Sequence, residues 1–304
     1  MDMPNFARVF ALCALGSVAT CLAAEQQTFA TPGQAVKALI VAAQSHDQDA
    51  LLSIFGEEGR DLIASGDAVQ DNTALDNFVK SYKTKHVIVR QDADTRLLRV
   101  GSRNWELPIP IVRERESWHF DTAAGKQELI YRRIGENELG AIAACRGFIA
   151  AQKDYASLGH DGLPAGYFAQ KLTSDSGKQN GLYWETKDDE PPSPAGPYLA
   201  KAADEGYKKS ADRQAPYHGY FYRSLTAQGA AAPGGAKSYL VDGQLKDGVA
   251  LVAYPATYKS SGVMTFIVNQ HGVVYQKDLG ENTTAVAEAI TEFNPDSSWK
   301  RVTD

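Results

Sequence analysis

Residues 121–155 read DTAAGKQELIYRRIGENELGAIAACRGFIAAQKDY. Asp121-Thr122 supplies a helix start, and Leu129, Ile130, Ile134, Leu139, Ile142, Cys145, Phe148, Ile149 and Tyr155 follow at helical spacing. Arg146 and Lys153 lie seven apart on the opposite side. The spacing predicts one long amphipathic helix, with Gly135 and Gly140 expected to break it in two because glycine is a poor helix former.

Upstream, Thr31-Pro32 predicts a capped helix start, with Val36, Leu39, Ile40 and Ala43 recurring every three or four residues. A second helix is expected through Leu51, Leu52, Ile54 and Phe55, and a third through Leu75, Phe78, Val79 and Tyr82. From Lys85 the period changes to two: residues 86–89, 96–100, 105–112 and 117–120 predict four strands of a small antiparallel sheet. Pro108 and Pro110 cannot donate ladder hydrogen bonds, so the third strand is expected at an edge or with a bulge.

Downstream, glycines at 159, 162, 166, 177 and 181 and the Pro191–Pro197 run predict a long loop-rich stretch whose proline segment is stiff and exposed. Residues 217–223, 248–254 and 262–268 then alternate as strands, and Asn269-Gln270-His271-Gly272 predicts a hairpin turn into Val273-Val274-Tyr275. A short amphipathic helix through Val286, Ala289, Ile290 and Phe293 is expected to close the chain. The fold class is therefore α+β: N-terminal helices with a small curved antiparallel sheet, then a long helix packed on a second antiparallel sheet.

Three resemblances attach to these residues. Helices followed by a curved meander over residues 28–122 resemble the cone-shaped nuclear-transport-factor-2-like pattern, which implies a concave face able to hold a small molecule. Asn137-Glu138-Leu139 through Ala151-Gln152 and Tyr155, followed by Gly219-Tyr220-Phe221-Tyr222, Ala253-Tyr254-Pro255, Gly262, Thr265-Phe266, Val268 and Gly272-Val273, resemble the head of type IV pilin-like proteins. Here the helix starts polar, with Arg132, Arg133, Glu136 and Asn137, so a filament subunit is not expected. With Thr28–Pro32, Phe120–Lys126, Thr265–Gln270 and Lys277–Gly280 added, the whole mature chain is similar to domain-of-unknown-function family 2950, a resemblance that implies an exported bacterial protein and carries no activity with it.

At roughly 150 residues per domain, 304 residues predict two domains, placed at 25–122 and 123–304 after a leader at 1–24. The leader is read from Arg8 followed by an apolar run over 9–19, too short for a stable membrane anchor and ending in small residues, with cleavage expected after Ala23 or Ala24. The exported, periplasmic chain then has no transmembrane segment. The alternative is a lipoprotein anchored at Cys21, after Val18-Ala19-Thr20. Cleavage removes Asp2 and Arg8 together, so the net charge stays at −6, which disfavours nucleic acid and anionic membrane surfaces. Only Cys145 remains, in an apolar helical run, so no intramolecular disulfide forms and burial is the expected role.

Motifs for chemistry are sparse. Gly125-Lys126 lacks the phosphate-loop glycine five residues earlier, where Phe120 stands. His46, His86, His119, His160, His218 and His271 show no metal-ligand spacing, and Asp188-Asp189-Glu190 lacks the alternation of a calcium loop. No metal or cofactor is expected. No Gly-x-Ser-x-Gly occurs, and Ser65-Gly66-Asp67 reads as a turn. Two clusters remain. In the first domain Trp105, Trp118, His119 and Asp121 lie on strand segments; His119 is a candidate base oriented by Asp121, against a plainer reading of a Trp118 and Phe120 core with His119 at the surface. In the second, Tyr217, His218, Tyr220 and Tyr222 suit a partner or glycan surface, against packing on the long helix. The favoured function is a non-catalytic binding or interaction protein of the cell envelope, its partner an envelope protein or small ligand. A small hydrolase or isomerase using the N-terminal pocket is the alternative.

Overall fold

The computed structural model describes residues 26–187, 189–204 and 215–303. Thr31 Oγ1 accepts from Gln34 N at 3.2 Å and Pro32 opens α1 (Pro32–Ser45), as the Thr-Pro pair predicts. Asp47 caps α2 (Gln48–Phe55) by accepting from Ala50 N at 2.9 Å. A 3-10 turn at Glu57–Gly59 and the short α3 (Arg60–Ile63), which carry no apolar period of their own, lead to α4 (Ala68–Thr84), capped by Asp67.

The strands β1 (His86–Arg90), β2 (Thr95–Val100), β3 (Trp105–Glu106), β4 (Ile111–Glu114) and β5 (Ser117–Phe120) form an antiparallel sheet in the order β1-β2-β4-β5, with β3 also on β2. The strand expected over 105–112 is split into β3 and β4. The missing N–H groups of Pro108 and Pro110 remove ladder donors there, so the chain leaves the sheet and returns at Ile111. Leu98, Ile111, Trp118 and Phe120 face Val36 and Leu39 of α1 and Leu51, Ile54 and Phe55 of α2. Each such aliphatic or phenyl side chain withdrawn from water contributes roughly 1.5–3 kcal/mol.

The long helix α5 (Thr122–Ala156) is a single unbroken element of 35 residues, contrary to the break expected at Gly135 and Gly140. One glycine costs a helix only about 1 kcal/mol, less than the packing on either side returns: Leu129 sits against the first core, while Ala141, Cys145 and Ile149 sit in the second. Three of the four glycines are sites of close approach. A Cβ on Gly125 would lie 2.3 Å from Pro108 O, on Gly140 2.6 Å from His218 Cγ, and on Gly147 2.9 Å from Tyr198 Cε1; nothing lies within 4 Å of one on Gly135.

Beyond α5, β6 (Lys171–Thr173) and β7 (Gly181–Tyr183) pair in parallel, and α6 (Gly196–Asp204) takes up the last two residues of the proline run. That run is not uniformly exposed: Ser193 and Ala195 are buried, and Ala195 N donates to Leu182 O at 2.8 Å. Next come β8 (Tyr220–Leu225), the small pairs β9 (Ala227–Gln228) with β10 (Lys237–Ser238) and β11 (Leu240–Val241) with β12 (Gln244–Leu245), then β13 (Ala250–Pro255), β14 (Met264–Asn269) and β15 (Val274–Asp278). After α7 (Thr283–Glu288), β16 (Lys300–Arg301) completes an antiparallel sheet ordered β16-β15-β14-β13-β8. Every residue of β13 is buried, so both faces of this interior strand are covered. The Asn269–Gly272 turn forms as expected, with Gly272 at φ +78°. The closing helix is shorter than expected. Phe293 lies outside it, because its backbone pairs with Ala227 O and Gly229 N in extended form, and β16 is the last element of the described residues.

Gly125→Ala is expected to destabilise the chain by about 1–3 kcal/mol, because the contacted atoms are backbone, whereas Gly135→Ala is expected to stabilise it by about 0.5–1 kcal/mol in dilute solution. Urea denaturation of both variants checks this; equal effects would contradict the packing of α5.

Candidate functional site

Between the two cores, the polar positions of α5 meet three loops. Arg133 donates through Nε to Ser260 O and through Nη2 to Ser260 Oγ, both at 3.0 Å, and also reaches Leu62 O and Asp61 O. One turn on, Asn137 donates to Ser261 O at 2.8 Å and accepts from Gln70 Nε2. Glu138 Oε1 accepts from Val263 N and Met264 N at 3.1 and 3.0 Å, fixing the start of β14. From the other side, buried Asp67 caps α4 through Oδ1 and accepts from Gly219 N through Oδ2 at 3.0 Å. Gly219 is required at φ +68°, where a Cβ would also strike Asn137 Nδ2.

Asp71 completes this seam. Its carboxylate accepts from Ser65 N at 2.9 Å and lies 4.0 Å from the Arg133 guanidinium. Burial raises the Asp71 pKa above the usual carboxylate range, against the opposing pull of the Ser65 hydrogen bonds and Arg133, with Asp67 adding to the rise. Burial likewise lowers the Arg133 pKa, opposed by Asp71 and Asp61. The donors of Arg133 are spent largely on backbone carbonyls, so the arrangement fixes geometry and offers no evident reacting atom. Ser65-Gly66-Asp67, read from sequence as a turn, belongs to this seam; its sequence signal was Arg133 and Asn137, four apart, interrupting the apolar positions of α5.

The residues singled out from sequence fall in several places. Trp118 is buried with Phe120 in the first core, with the Arg96 and Arg113 guanidinium groups 4.9 and 5.8 Å from its ring centre. His119 pairs with Val112 across β4 and β5 and lies, half-buried, on the opposite face of the sheet. The Asp121 carboxylate accepts from Ala124 N at 3.1 Å and so caps α5. Tyr220 is fully buried, its hydroxyl donating to Met264 O at 2.9 Å and its ring filling the space beside Gly262; burial raises its pKa. Tyr217, His218 and Tyr222 do come together, half-buried: Tyr222 donates to Tyr217 O at 3.1 Å, and Tyr217 and His218 rings are centred 4.2 Å apart. Cys145 is buried, which pushes its thiol up to about 12.

The leader at 1–24, Cys21 and Asp188 lie outside the described residues. Among the described residues no three His, Cys, Asp or Glu side chains converge as metal ligands, and no helix is long and apolar enough to cross a membrane.

A further surface stands out for what it leaves in water. Tyr131 and Leu139, two turns apart on α5, are 63% and 70% exposed, and Trp105, on β3, is 38% exposed. Arg132 links the two elements: it bridges Glu128 at 2.8 Å and lies 5.5 Å from the Trp105 ring centre, while Trp105 rests edge-on against Phe78.

The family profile described as Protein of unknown function (DUF2950) matches residues 26–302. The chain belongs to this family. Neither the curated proteins nor the solved structures contain a match. For a DUF2950 chain the functional reading therefore rests on the geometry of its own surfaces and seams.

Asp71→Asn tests the seam. Because the folded-state pKa of Asp71 is raised above its unfolded value, the unfolded chain releases the proton first, and native stability falls as pH rises through that interval. Relative to Asp71→Asn, the natural chain is expected to lose stability as pH rises from about 4, then to hold a constant difference once the folded carboxyl has ionised. Urea titrations across that range check it; the opposite slope would contradict the burial of this carboxylate.

Proposed function

We propose that this DUF2950 protein is an exported, non-catalytic interaction module of the bacterial cell envelope, and that it engages a protein partner through the exposed face of α5 together with Trp105. The observation that carries the reading is the water-facing placement of Tyr131, Leu139 and Trp105 beside Arg132. Large apolar and aromatic side chains on a rigid helix lose little conformational freedom on docking. Tyrosine, tryptophan and arginine also dominate the energetics of protein contacts. α5 is anchored in both hydrophobic cores, so the face is presented without a folding step. The apolar run over residues 9–19 supports export, with the mature chain beginning near Glu25 or, alternatively, anchored at Cys21.

A photo-reactive phenylalanine analogue at position 139, expressed in the producing cell, is expected to yield a discrete adduct of higher mass. The adduct should disappear when Tyr131→Ala is added, while the same analogue at exposed Lys237, on β10, should give none. Equal labelling from positions 139 and 237, or no adduct from either, would overturn the reading.

A further inference from the structure

We propose that the partner seated on this face is a second copy of the chain, docked with its α5 antiparallel across a two-fold axis at Gly135; the proposal rests on the interaction reading above and names its partner. The first support is Gly135 itself. Gly125, Gly140 and Gly147 each admit a neighbouring group of the same chain, but the position a Gly135 Cβ would take is open, with nothing within 4 Å. An exposed mid-helix glycine with no close approach of its own is what a tight crossing by an outside helix requires, since interaxial distance is set by the side chains at the contact.

The second support is self-complementarity. Tyr131 lies four residues before Gly135 and Leu139 four after, each about 6 Å along the axis at the helical rise of 1.5 Å per residue. A two-fold axis perpendicular to α5 at Gly135 therefore sets Tyr131 of each copy opposite the partner's Leu139, burying both large exposed apolar side chains twice over. Arg132 and Glu136 lie on one flank of this stripe, and the same operation brings Arg132, whose bridge to Glu128 is exposed and exchangeable, to within about 3 Å, measured along the axis, of the level of the partner's Glu136. Glu136 is exposed, and no basic side chain of the described residues pairs with it. One symmetry operation thus answers the glycine, the apolar pair and the charge pair together. A parallel crossing would instead set Tyr131 against Tyr131 and like charges against each other.

The test uses the mature chain in sedimentation equilibrium and site-directed disulfide trapping. The expected mass rises toward twice that of the chain as concentration approaches ~100 µM. Arg132→Glu is expected to weaken association at least tenfold, and Arg132→Glu combined with Glu136→Arg to restore it. Under mild oxidation Gly135→Cys should form a symmetric disulfide, because the two Cα atoms at the axis fall within bridging range. Ala143→Cys should not, since its symmetry mates would stand about 24 Å apart along the helices. Circular dichroism confirms that each variant is folded. A mass that stays at one chain throughout, or trapping at position 143 as fast as at 135, would overturn the proposal. A monomeric chain that still gives a position-139 adduct with a different protein overturns the second copy and leaves the interaction reading standing. A monomer with no adduct removes both.

Discussion

A guanidinium taken out of water must be fully provided with acceptors, and Arg133 is the point at which this chain meets that demand. Its acceptors come from Asp61 and Leu62 before α5 and from Ser260 far beyond it, so the hydrogen bonds of one side chain register parts of the sequence that no local signal connects. Asn137 and Glu138 extend the same tie to Ser261, Val263 and Met264. An unsatisfied buried donor costs about 1–3 kcal/mol, more when charged. Shifting α5 by one residue against the loops would leave several such groups without partners. The register of the second sheet follows, because Glu138 fixes the first amide of β14 and β14 pairs with both β13 and β15.

With the helix held in this way, its glycines acquire separate meanings. At Gly125 the helix start presses on the backbone of the proline-bearing segment between β3 and β4, and at Gly140 and Gly147 it admits rings from later parts of the chain. These contacts compensate for the low helix propensity of glycine, so α5 runs from the first core to the second as one uninterrupted helix. The division read from sequence at residue 122 falls at the first residue of this helix, whose opening turn is already bound to the first core through Thr122 Oγ1 and Phe55 O at 2.7 Å.

What was legible in the sequence is what local physics decides. Thr31-Pro32 and Asp121 announce helix starts because capping needs only neighbouring residues, whereas β13 and β14, read as alternating, are in fact short continuous apolar runs buried on both faces. The split at Pro108 and Pro110 was half visible: the missing donors were plain, but whether the strand would bulge or leave the sheet depended on how Ile109 is buried against the helices. The terminal helix was overestimated because Phe293 is drawn into extended pairing with Ala227, a partner remote in sequence. In the candidate sites, Asp121 is legible as a helix start from its neighbours alone, and its Oδ1 accepts from Ala124 N in that role. Tyr220 could not be told from Tyr217 and Tyr222 by type; only the close approach at Gly262 puts it in the core. The seam around Asp67, Asp71 and Arg133 was hidden because its members are scattered along the chain.

The most direct test of the structure's central feature, one continuous helix clamped into both cores, is native-state hydrogen exchange resolved along α5. Amides from Ile130 to Tyr155 are expected to exchange together, at the rate set by global unfolding, with no weak point at Gly135 or Gly140. Faster exchange confined to the 135–140 turn, with the two ends of α5 protected to different degrees, would show two separately opening segments and contradict the clamp.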